Sequence, residues 1–451
     1  MKIIIVGCGK VGRTITEELS KENHDVTVID TDITAIHDVT NNFDVMGVVG
    51  DGVSYSVLKE AGVDEADLLI AVTTSDEQNL LCCLFAKKAG NCCTIARVRN
   101  PIYNNEINFI KKELGLSMVI NPEYAAATEI ARIIRFPSAI EIDTFAKGQV
   151  ELMKFIVNDN LSINGLNLIQ VAKKIKSEVL VCAVERNNEV TIPNGSFEIQ
   201  AGDIVSIIAS PKEAKDFFKK IGIETHQVKN TIIVGGGTIA YYLSKQLIDM
   251  GISVKIIEQD QKRCEELSER LPEAVIIHGD ATNQDILFEE GITHCESFIS
   301  LTGIDEGNIF LSLFAQQTSS AKIITKINRI SFDEIINTFH LGSLIYPKFI
   351  TAEYILQYVR AMQNSMGSNV ETLYRIIENK VEALEFHISE NSIITSAPLG
   401  ELPIKDNILI ACIIRNGKTI IPNGNSQIQS GDSVIIVTTE NGLRNIQNIL
   451  R

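Results

Sequence analysis

The sequence predicts an α/β chain made of a duplicated unit. Each unit is a Rossmann-like doubly wound parallel sheet followed by a small β-rich α+β domain. Three observations predict this. Short β-branched runs alternate with helical stretches, which is the βαβα order of a parallel sheet. A Gly-x-Gly-x-x-Gly turn joins the first run to the first helix. The whole order of motifs then recurs at a near-constant offset.

The first strand is Ile3-Ile4-Ile5-Val6, and Gly7, Gly9 and Gly12 form the turn after it. One glycine permits the tight turn, one lets backbone approach a pyrophosphate, and one lets helix pack on strand. Backbone amides from Gly7 through Cys8, Gly9 and Lys10 to Val11 are therefore the expected phosphate cradle, at a helix N-terminus that favours an anion. A second strand, Asp25 to Asp30, follows the helix. Asp30 lies 18 residues after Gly12, where an acid accepts hydrogen bonds from the ribose of an adenine dinucleotide. Val45 to Val49 is a third strand, ending in Gly50-Asp51-Gly52. Leu58 to Ala61 suits a helix. Ala66 to Val72 is the fourth strand, with Thr73 and Thr74 at its end. Leu80 to Ala89 is helical, and Thr94 to Val98 is a fifth strand delivering Arg97 and Arg99. Met118 to Ile120 follows. Ligands of such sheets sit at the carboxyl ends of strands, where Gly7, Asp30, Asp51, Thr73 and Arg97 all fall.

Residues 123–136 read as an amphipathic helix stopped by Pro137. Beyond it the texture changes to short β runs: Leu152 to Val157, Val179 to Val184 and Ile204 to Ala209. Turns at Ile192-Pro193-Asn194-Gly195 and Gln200-Ala201-Gly202-Asp203 separate them. The chain then restates itself. Gly7 and Gly235 differ by 228, as do Asp30 and Glu258. Asp51 and Asp280, Asp76 and Asp305, and Asn79 and Asn308 differ by 229. So do Arg186 and Arg415, Pro193 and Pro422, and Asp203 and Asp432. A constant offset across two unlike domains means duplication of the whole unit. The register breaks near residues 330–351, where the second copy is shorter by four (Pro122 against Pro347). There Thr351 to Met362 reads as a helix running into Gly367, Ser368 and a further helical stretch before a strand at Val381 to Phe386. The expected domains are residues 1–136, 137–226, 227–350 and 351–451.

Composition narrows the function. The net charge of −16 argues against nucleic acid and against a polybasic membrane anchor. No apolar run reaches about eighteen residues, so no transmembrane helix is expected. Met1 leads directly into the first strand, which leaves no room for a signal peptide. The nine cysteines include two adjacent pairs and no C-x-x-C, the pattern of small core residues in a reduced cytosolic protein. Cys8 reads as a small residue in a tight turn, not a reactive thiol. The histidines are scattered, and neither a serine elbow nor metal-ligand spacing is present. No catalytic residue and no metal ligand is expected.

Several strings carry a family resemblance: Met1 to Gly7, His24 to Asp30, Ala71 to Glu77, Ile95 to Arg99, Pro122-Glu123, and the Gly-Asp turns at 202–203 and 431–432. In their duplicated order they resemble the TrkA family. These are peripheral regulators of Trk-type potassium uptake that carry two RCK (regulator of potassium conductance) units in tandem. The resemblance spans essentially the whole chain. It implies NAD(H) as ligand, with ATP and ADP as regulatory ligands. It also implies a ring-shaped homo-oligomer, here a dimer or tetramer. The partner it implies is a membrane potassium channel subunit of the TrkH or TrkG kind, met in the cytoplasm on the inner face of the membrane. It places Thr73, Thr74 and Arg97 near the nucleotide.

In that reading Asp30 favours NAD over NADP, since its charge repels a 2′-phosphate. Lys10, Arg13, Arg97 and Arg99 are candidate phosphate partners. The second site comprises Gly235, Gly236, Gly237, Thr238 and Ile239, with Glu258 for the ribose and Asp280 at a strand end. Here Gly12 becomes Ala240, Lys10 becomes Thr238, Arg13 becomes Tyr241, Arg97 becomes Lys326 and Arg99 becomes Asn328. Four cations become one, so ATP and ADP are expected to prefer the first site. The expected function is a nucleotide-sensing gating subunit and not an enzyme. An NAD-dependent oxidoreductase would need an acid or base in the β-rich domains. A ligand-independent scaffold would bind its partner without nucleotide.

Overall fold

The computed structural model describes residues 1–451 except 91, 136–140, 146–148, 188, 224–227, 329–338, 340, 366–369, 378–380, 389–391, 406, 441–442 and 444. The chain forms two compact units, each built from both copies: Met1–Ala131 with Lys229–Tyr358, and Arg132–Val228 with Val359–Arg451.

The first unit holds two parallel six-stranded sheets. One contains β1 (Lys2–Val6), β2 (Asp25–Asp30), β3 (Met46–Val49), β4 (Leu68–Ala71), β5 (Cys93–Arg97) and β6 (Met118–Ile120), in the order β3-β2-β1-β4-β5-β6. The central strands are apolar throughout because helices cover both faces: Ile3 to Val6 and Leu68 to Ala71 are all buried. The strand order reverses between β1 and β4, so the crevice at their carboxyl ends is the place for a ligand. The other sheet contains β12 (Asn230–Val234), β13 (Ser253–Glu258), β14 (Val275–His278), β15 (Ser297–Ser300), β16 (Lys322–Lys326) and β17 (Ser343–Ile345). Its order, β14-β13-β12-β15-β16-β17, repeats the first.

The two sheets meet inside this unit through the helices Pro122–Arg135 and Thr238–Asp249. Asn121 Nδ2 donates to the Tyr242 hydroxyl at 3.0 Å, and that hydroxyl donates to the Arg99 carbonyl at 3.3 Å. The Tyr124 and Tyr242 rings pack edge to face, 5.4 Å between centroids. Gln246 Nε2 donates to Thr128 Oγ1 at 3.2 Å.

The second unit holds two antiparallel five-stranded sheets. The first contains β7 (Glu141–Phe145), β8 (Val150–Ile156), β9 (Leu180–Arg186), β10 (Glu189–Thr191) and β11 (Ile204–Ala209), ordered β10-β9-β11-β8-β7. The second contains β18 (Val370–Ile377), β19 (Val381–His387), β20 (Ile408–Arg415), β21 (Lys418–Ile420) and β22 (Ser433–Thr438), ordered β18-β19-β22-β20-β21. The repeated Arg and Asp are the same device in both. Arg186 Nε and Nη2 each donate to the buried Asp203 at 2.7 Å, and Arg415 holds Asp432 at 2.9 and 2.7 Å. The sheets share one core, in which Phe145, Leu152, Cys182 and Ile208 of the first copy pack with Val381, Ala411, Cys412 and Val437 of the second.

Two expectations need correction. The helix after the second parallel sheet is longer than Thr351 to Met362, running over Pro347–Ser365. The further helical stretch before Val381 is instead β18, paired antiparallel with β19 from Val370↔Phe386 to Ile377↔Val381. Local apolar spacing there fits a helix, but antiparallel pairing with the strand that follows it, β19, overrides it. Gly367 and Ser368 lie outside the described residues.

Candidate functional site

The carboxyl ends of β1 and β4 open into a cavity of about 660 Å3. Its floor is the glycine turn. Gly7 has φ +103°, a left-handed conformation that suits glycine, and an added Cβ would meet the Thr73 backbone at 3.0 Å. A Cβ on Gly12 would fall 1.8 Å from the Gly7 carbonyl oxygen, so this glycine is the close contact between helix and turn. At Gly9 an added Cβ meets nothing within 4 Å, which leaves open space where a phosphate would lie. The helix Lys10–Lys21 begins there. Its N-cap, Gly9, offers no side-chain hydrogen bond, so the first-turn amides have no intrahelical or capping partner.

Asp30 stands beside this turn. Oδ2 accepts from the Cys8 amide at 2.6 Å and Oδ1 from the Asp32 amide at 2.9 Å. The carboxylate is thereby fixed with its remaining lone pairs available to hydroxyl donors. These features fit an adenine dinucleotide or nucleotide: open space over bare amides, and an oriented acid one strand away. Burial, and then the charge of Asp30, push the Cys8 thiol up to about 12, so it stays a neutral packing group.

The opposite rim is positioned by a buried asparagine. Asn79 Oδ1 accepts from the Thr73 amide at 2.8 Å, and Nδ2 donates to the Arg97 carbonyl at 2.9 Å. It thus ties the ends of β4 and β5 together. Asn308 repeats this with Thr302 at 2.9 Å and Lys326 at 3.0 Å. Asp76 Oδ2 accepts from the Arg99 and Asn100 amides at 2.9 and 2.8 Å. These contacts explain why Asp76 and Asn79 recur at the repeat offset.

The cavity wall includes Gly7, Gly9, Lys10, Val11, Asp30, Asp51, Gly52, Thr73, Thr74 and Arg97 of the first copy. Cys8 and Gly12 are not part of this wall. The second copy contributes Gly237, Thr238 and Ile239, with Lys326, Asn328 and Lys348. Gly235, Gly236, Glu258 and Asp280 are not part of this wall. Glu258 nonetheless repeats the Asp30 geometry, accepting from the Gly236 amide at 2.6 Å and the Asp260 amide at 2.9 Å. The Asp280 carboxyl is held low by hydrogen bonds from the Thr282 amide and hydroxyl.

The cations are distributed differently from the sequence count. Arg13 is ion-paired with Asp38 and stacks over Phe43. It is absent from the wall. Arg99 lines the cavity, with Nη2 donating to the Thr74 carbonyl at 2.6 Å. Lys326, assigned from sequence to the second site, lines this same cavity. So do Lys348, which the sequence reading did not name, and Glu123, which it quoted within the Pro122-Glu123 string but not as a site residue. They occupy equivalent positions, each following the proline that opens a helix (Pro122, Pro347). Subtracting one copy from the other would have found this reversal of charge. Among the described residues, no three His, Cys, Asp or Glu side chains gather so as to hold a metal ion. None of the described helices is long and apolar enough to cross a membrane.

Fold and site together define a class: a tandem nucleotide-binding protein of Rossmann type, each parallel sheet followed by an antiparallel β-rich domain. The TrkA-N domain model matches residues 3–122 and 231–347, and the TrkA-C domain model matches residues 159–222 and 383–451. The chain belongs to the TrkA family. It is 31% identical over 455 residues to the Trk system potassium uptake protein TrkA of Halomonas elongata, covering 100% of this chain and 99% of that one. It is 30% identical over 444 residues to the protein of the same name from Haemophilus influenzae, covering 98% and 96%. Among solved structures, the GsuK RCK domain superposes with a TM-score of 0.63 at 16% identity, covering 97% of this chain and 92% of that one. The GsuK channel bound to NAD matches at the same score and identity, over 97% and 76%. These two likenesses establish the fold.

Proposed function

We propose that this chain is a cytosolic, nucleotide-sensing regulatory subunit that gates a membrane potassium channel or transporter of the Trk type. Its relatives are named for Trk potassium uptake. The observation that carries the reading is the cavity, whose wall is drawn from both copies. A ligand bridging such a wall favours one relative arrangement of the two nucleotide domains over others. That differential affinity is what a ligand needs in order to shift a conformational equilibrium. NAD(H) is the proposed dinucleotide, with ribose at Asp30 and pyrophosphate on the amides of Gly9 to Val11; ATP and ADP are proposed as regulatory ligands. The functional domains are taken as 1–136, 137–226, 227–350 and 351–451. A dimer or tetramer ring is proposed, docked on the inner membrane face through a TrkH- or TrkG-like subunit.

The test is a pull-down from membranes with and without NADH, ATP and ADP. The expected result is recovery with membranes only when a potassium channel subunit is present, in a nucleotide-dependent amount. Tight association with membranes lacking every such channel would overturn the docking model. A strictly monomeric mass at micromolar concentration would overturn the ring. Hydride transfer to a substrate would favour an oxidoreductase instead.

A further inference from the structure

Two helices that pack on the first antiparallel sheet, Leu168–Ile175 and Pro211–Ile221, carry a charge that the chain average hides. Residues 168–176 and 211–222 hold seven lysines against two acids, in a chain of net charge −16. The fold sorts these groups. Val171 and Ile175 of one helix are buried, as are Ala214, Phe217, Phe218 and Ile221 of the other. Lys212, Lys215 and Lys219, spaced by three and four, are left in one exposed stripe. The two acids turn toward the loop after the first helix. Glu213 Oε2 accepts from the Glu178 amide at 3.2 Å, and Asp216 Oδ2 accepts from the Ser177 hydroxyl at 3.3 Å. The helices end side by side: Lys220 Nζ donates to the Lys176 carbonyl at 3.1 Å and Lys174 Nζ to the Ser162 carbonyl at 2.8 Å, while the Ser162 amide donates to the Ile221 carbonyl at 3.0 Å. Lys174 and Lys220 are thus used in tying those ends together. Lys173, Lys176, Lys212, Lys215 and Lys219 are exposed and make no ion pair among the described residues. The domain does not need them to fold. The same TrkA-C model matches the second copy, whose corresponding residues, 397–405 and 440–451, hold one lysine and two arginines against two acids. Short 3-10 turns, Leu399–Glu401 and Ile446–Ile449, stand there in place of the helices.

We infer that this lysine face is a docking surface for an anionic lipid membrane, which turns the first β-rich domain toward the bilayer. The inference rests on the membrane-side placement proposed above. The chemistry of the face selects the occupant. It is built of lysine without arginine, and its two aromatic residues, Phe217 and Phe218, are buried. Protein interfaces are enriched in arginine and aromatic side chains and depleted in lysine. Single-stranded nucleic acid is held by stacking on exposed aromatics. A lysine is a hydrated point charge on a flexible stem, which suits headgroups that move and present no fixed geometry. Anionic leaflets attract clusters of such residues within about a Debye length of the surface. Five free lysines on a chain of net charge −16 do not anchor it alone. They add to affinity once a channel contact holds the chain near the bilayer, because the second contact is then intramolecular.

The test is co-sedimentation of the full chain with channel-free vesicles, either pure phosphatidylcholine or phosphatidylcholine mixed with anionic phosphatidylglycerol, at low salt and at about 0.15 M salt. The wild type is expected to pellet with the anionic vesicles at low salt, weakly at the higher salt, and not with the neutral ones. A variant combining Lys212→Gln, Lys215→Gln and Lys219→Gln should partition about tenfold less or lower still. A control combining Lys88→Gln, Lys111→Gln and Lys112→Gln removes the same charge from exposed sites on the first parallel sheet's helices and should bind as the wild type does. Absence of wild-type binding at low salt overturns the inference. So does an equal loss in the control, which would make net charge the cause, or equal binding to neutral vesicles, which would make the contact apolar. Tighter binding to duplex DNA or to polyglutamate than to the anionic vesicles overturns the choice of a lipid surface. Because these vesicles hold no channel, failure here leaves the channel-dependent pull-down unaffected, so the two readings fail separately.

Discussion

Replacing Asp30 with glutamate is a one-methylene change that the second copy already contains. Glu258 makes the same two amide contacts as Asp30, at the same distances of 2.6 and 2.9 Å. It has room because residue 236 is glycine. A Cβ there would lie 3.2 Å from Glu258 Cγ and 2.6 Å from Leu267 Cδ1. In the first copy the same position is Cys8, buried, with Val39 in place of Leu267. Asp30→Glu alone therefore pushes a methylene against the Cys8 side chain, and overpacking of this kind costs about 1–3 kcal/mol. The displaced carboxylate also leaves the ribose side of the cavity; at ~1.4 kcal/mol per tenfold, NADH affinity should fall by about tenfold. Adding Cys8→Gly should recover most of both losses. A double-mutant cycle, read by urea denaturation and by NADH calorimetry, should give a coupling of about 1 kcal/mol or more, against the ~0.3–0.5 kcal/mol scatter of independent sites. Additive effects, or wild-type binding by Asp30→Glu alone, would refute the argument that residues 8 and 30 are sized to each other.

Three further expectations follow from the packing. Arg186→Ala leaves Asp203, 1% exposed, with the Gln200 amide as its remaining hydrogen-bond donor among the described residues, and should cost about 3 kcal/mol in a urea titration; Arg415→Ala should cost about the same for Asp432. Tyr242→Phe removes the hydroxyl shared by Asn121 and the Arg99 carbonyl between the two parallel sheets, and should lower stability by about 1 kcal/mol with little change in m-value. Burial pushes Lys322 down to about 8 from 10.5. The unfolded chain therefore binds more protons than the folded one between those values, and Lys322 makes stability rise with pH across that window. Below about 8 the lysine is charged in both states and its contribution is constant. Comparing denaturation midpoints at either end of the window should show Lys322→Met removing that rise, and an unchanged slope would count against it.

The parallel sheets and the duplication were legible because both are written locally. Ile3 to Val6, the Gly7 to Gly12 turn and Asp30 are a contiguous pattern, and the offset of the second copy needs no structure to be measured. Boundaries moved by a few residues where capping decides them: the helix read from Leu80 starts at Asp76, capped by Ser75 Oγ accepting from the Gln78 amide. What could not be read was which copy's residues share a space. Lys326 belongs to the second sheet by sequence, yet it lines the cavity on the first glycine turn, because the two sheets pack through Asn121, Tyr124 and Tyr242. Arg13 looked available for phosphate, but Asp38, 25 residues away, takes it. β18 failed for a different reason: its partner β19 is the next strand in the sequence and was read as one, but the apolar spacing of residues 370–377 fits a helix as well as a strand.

The core shared by the antiparallel sheets has a consequence for the order in which the protein is made. Strands β8, β9 and β11 leave the ribosome early, while the residues that cover Leu152, Cys182 and Ile208 come from Val381 to Val437. From Val228, where the first copy's share of that unit ends, to Val437 is a span of 209 residues, so at about 5–20 residues per second that apolar face waits roughly 10–40 s for its partner. During that interval its nearest matching surface is the same face on a neighbouring nascent chain. Duplication in one polypeptide turns what would be a meeting of two molecules into an internal closure. It also makes the delay before that closure the period when this protein most needs a chaperone.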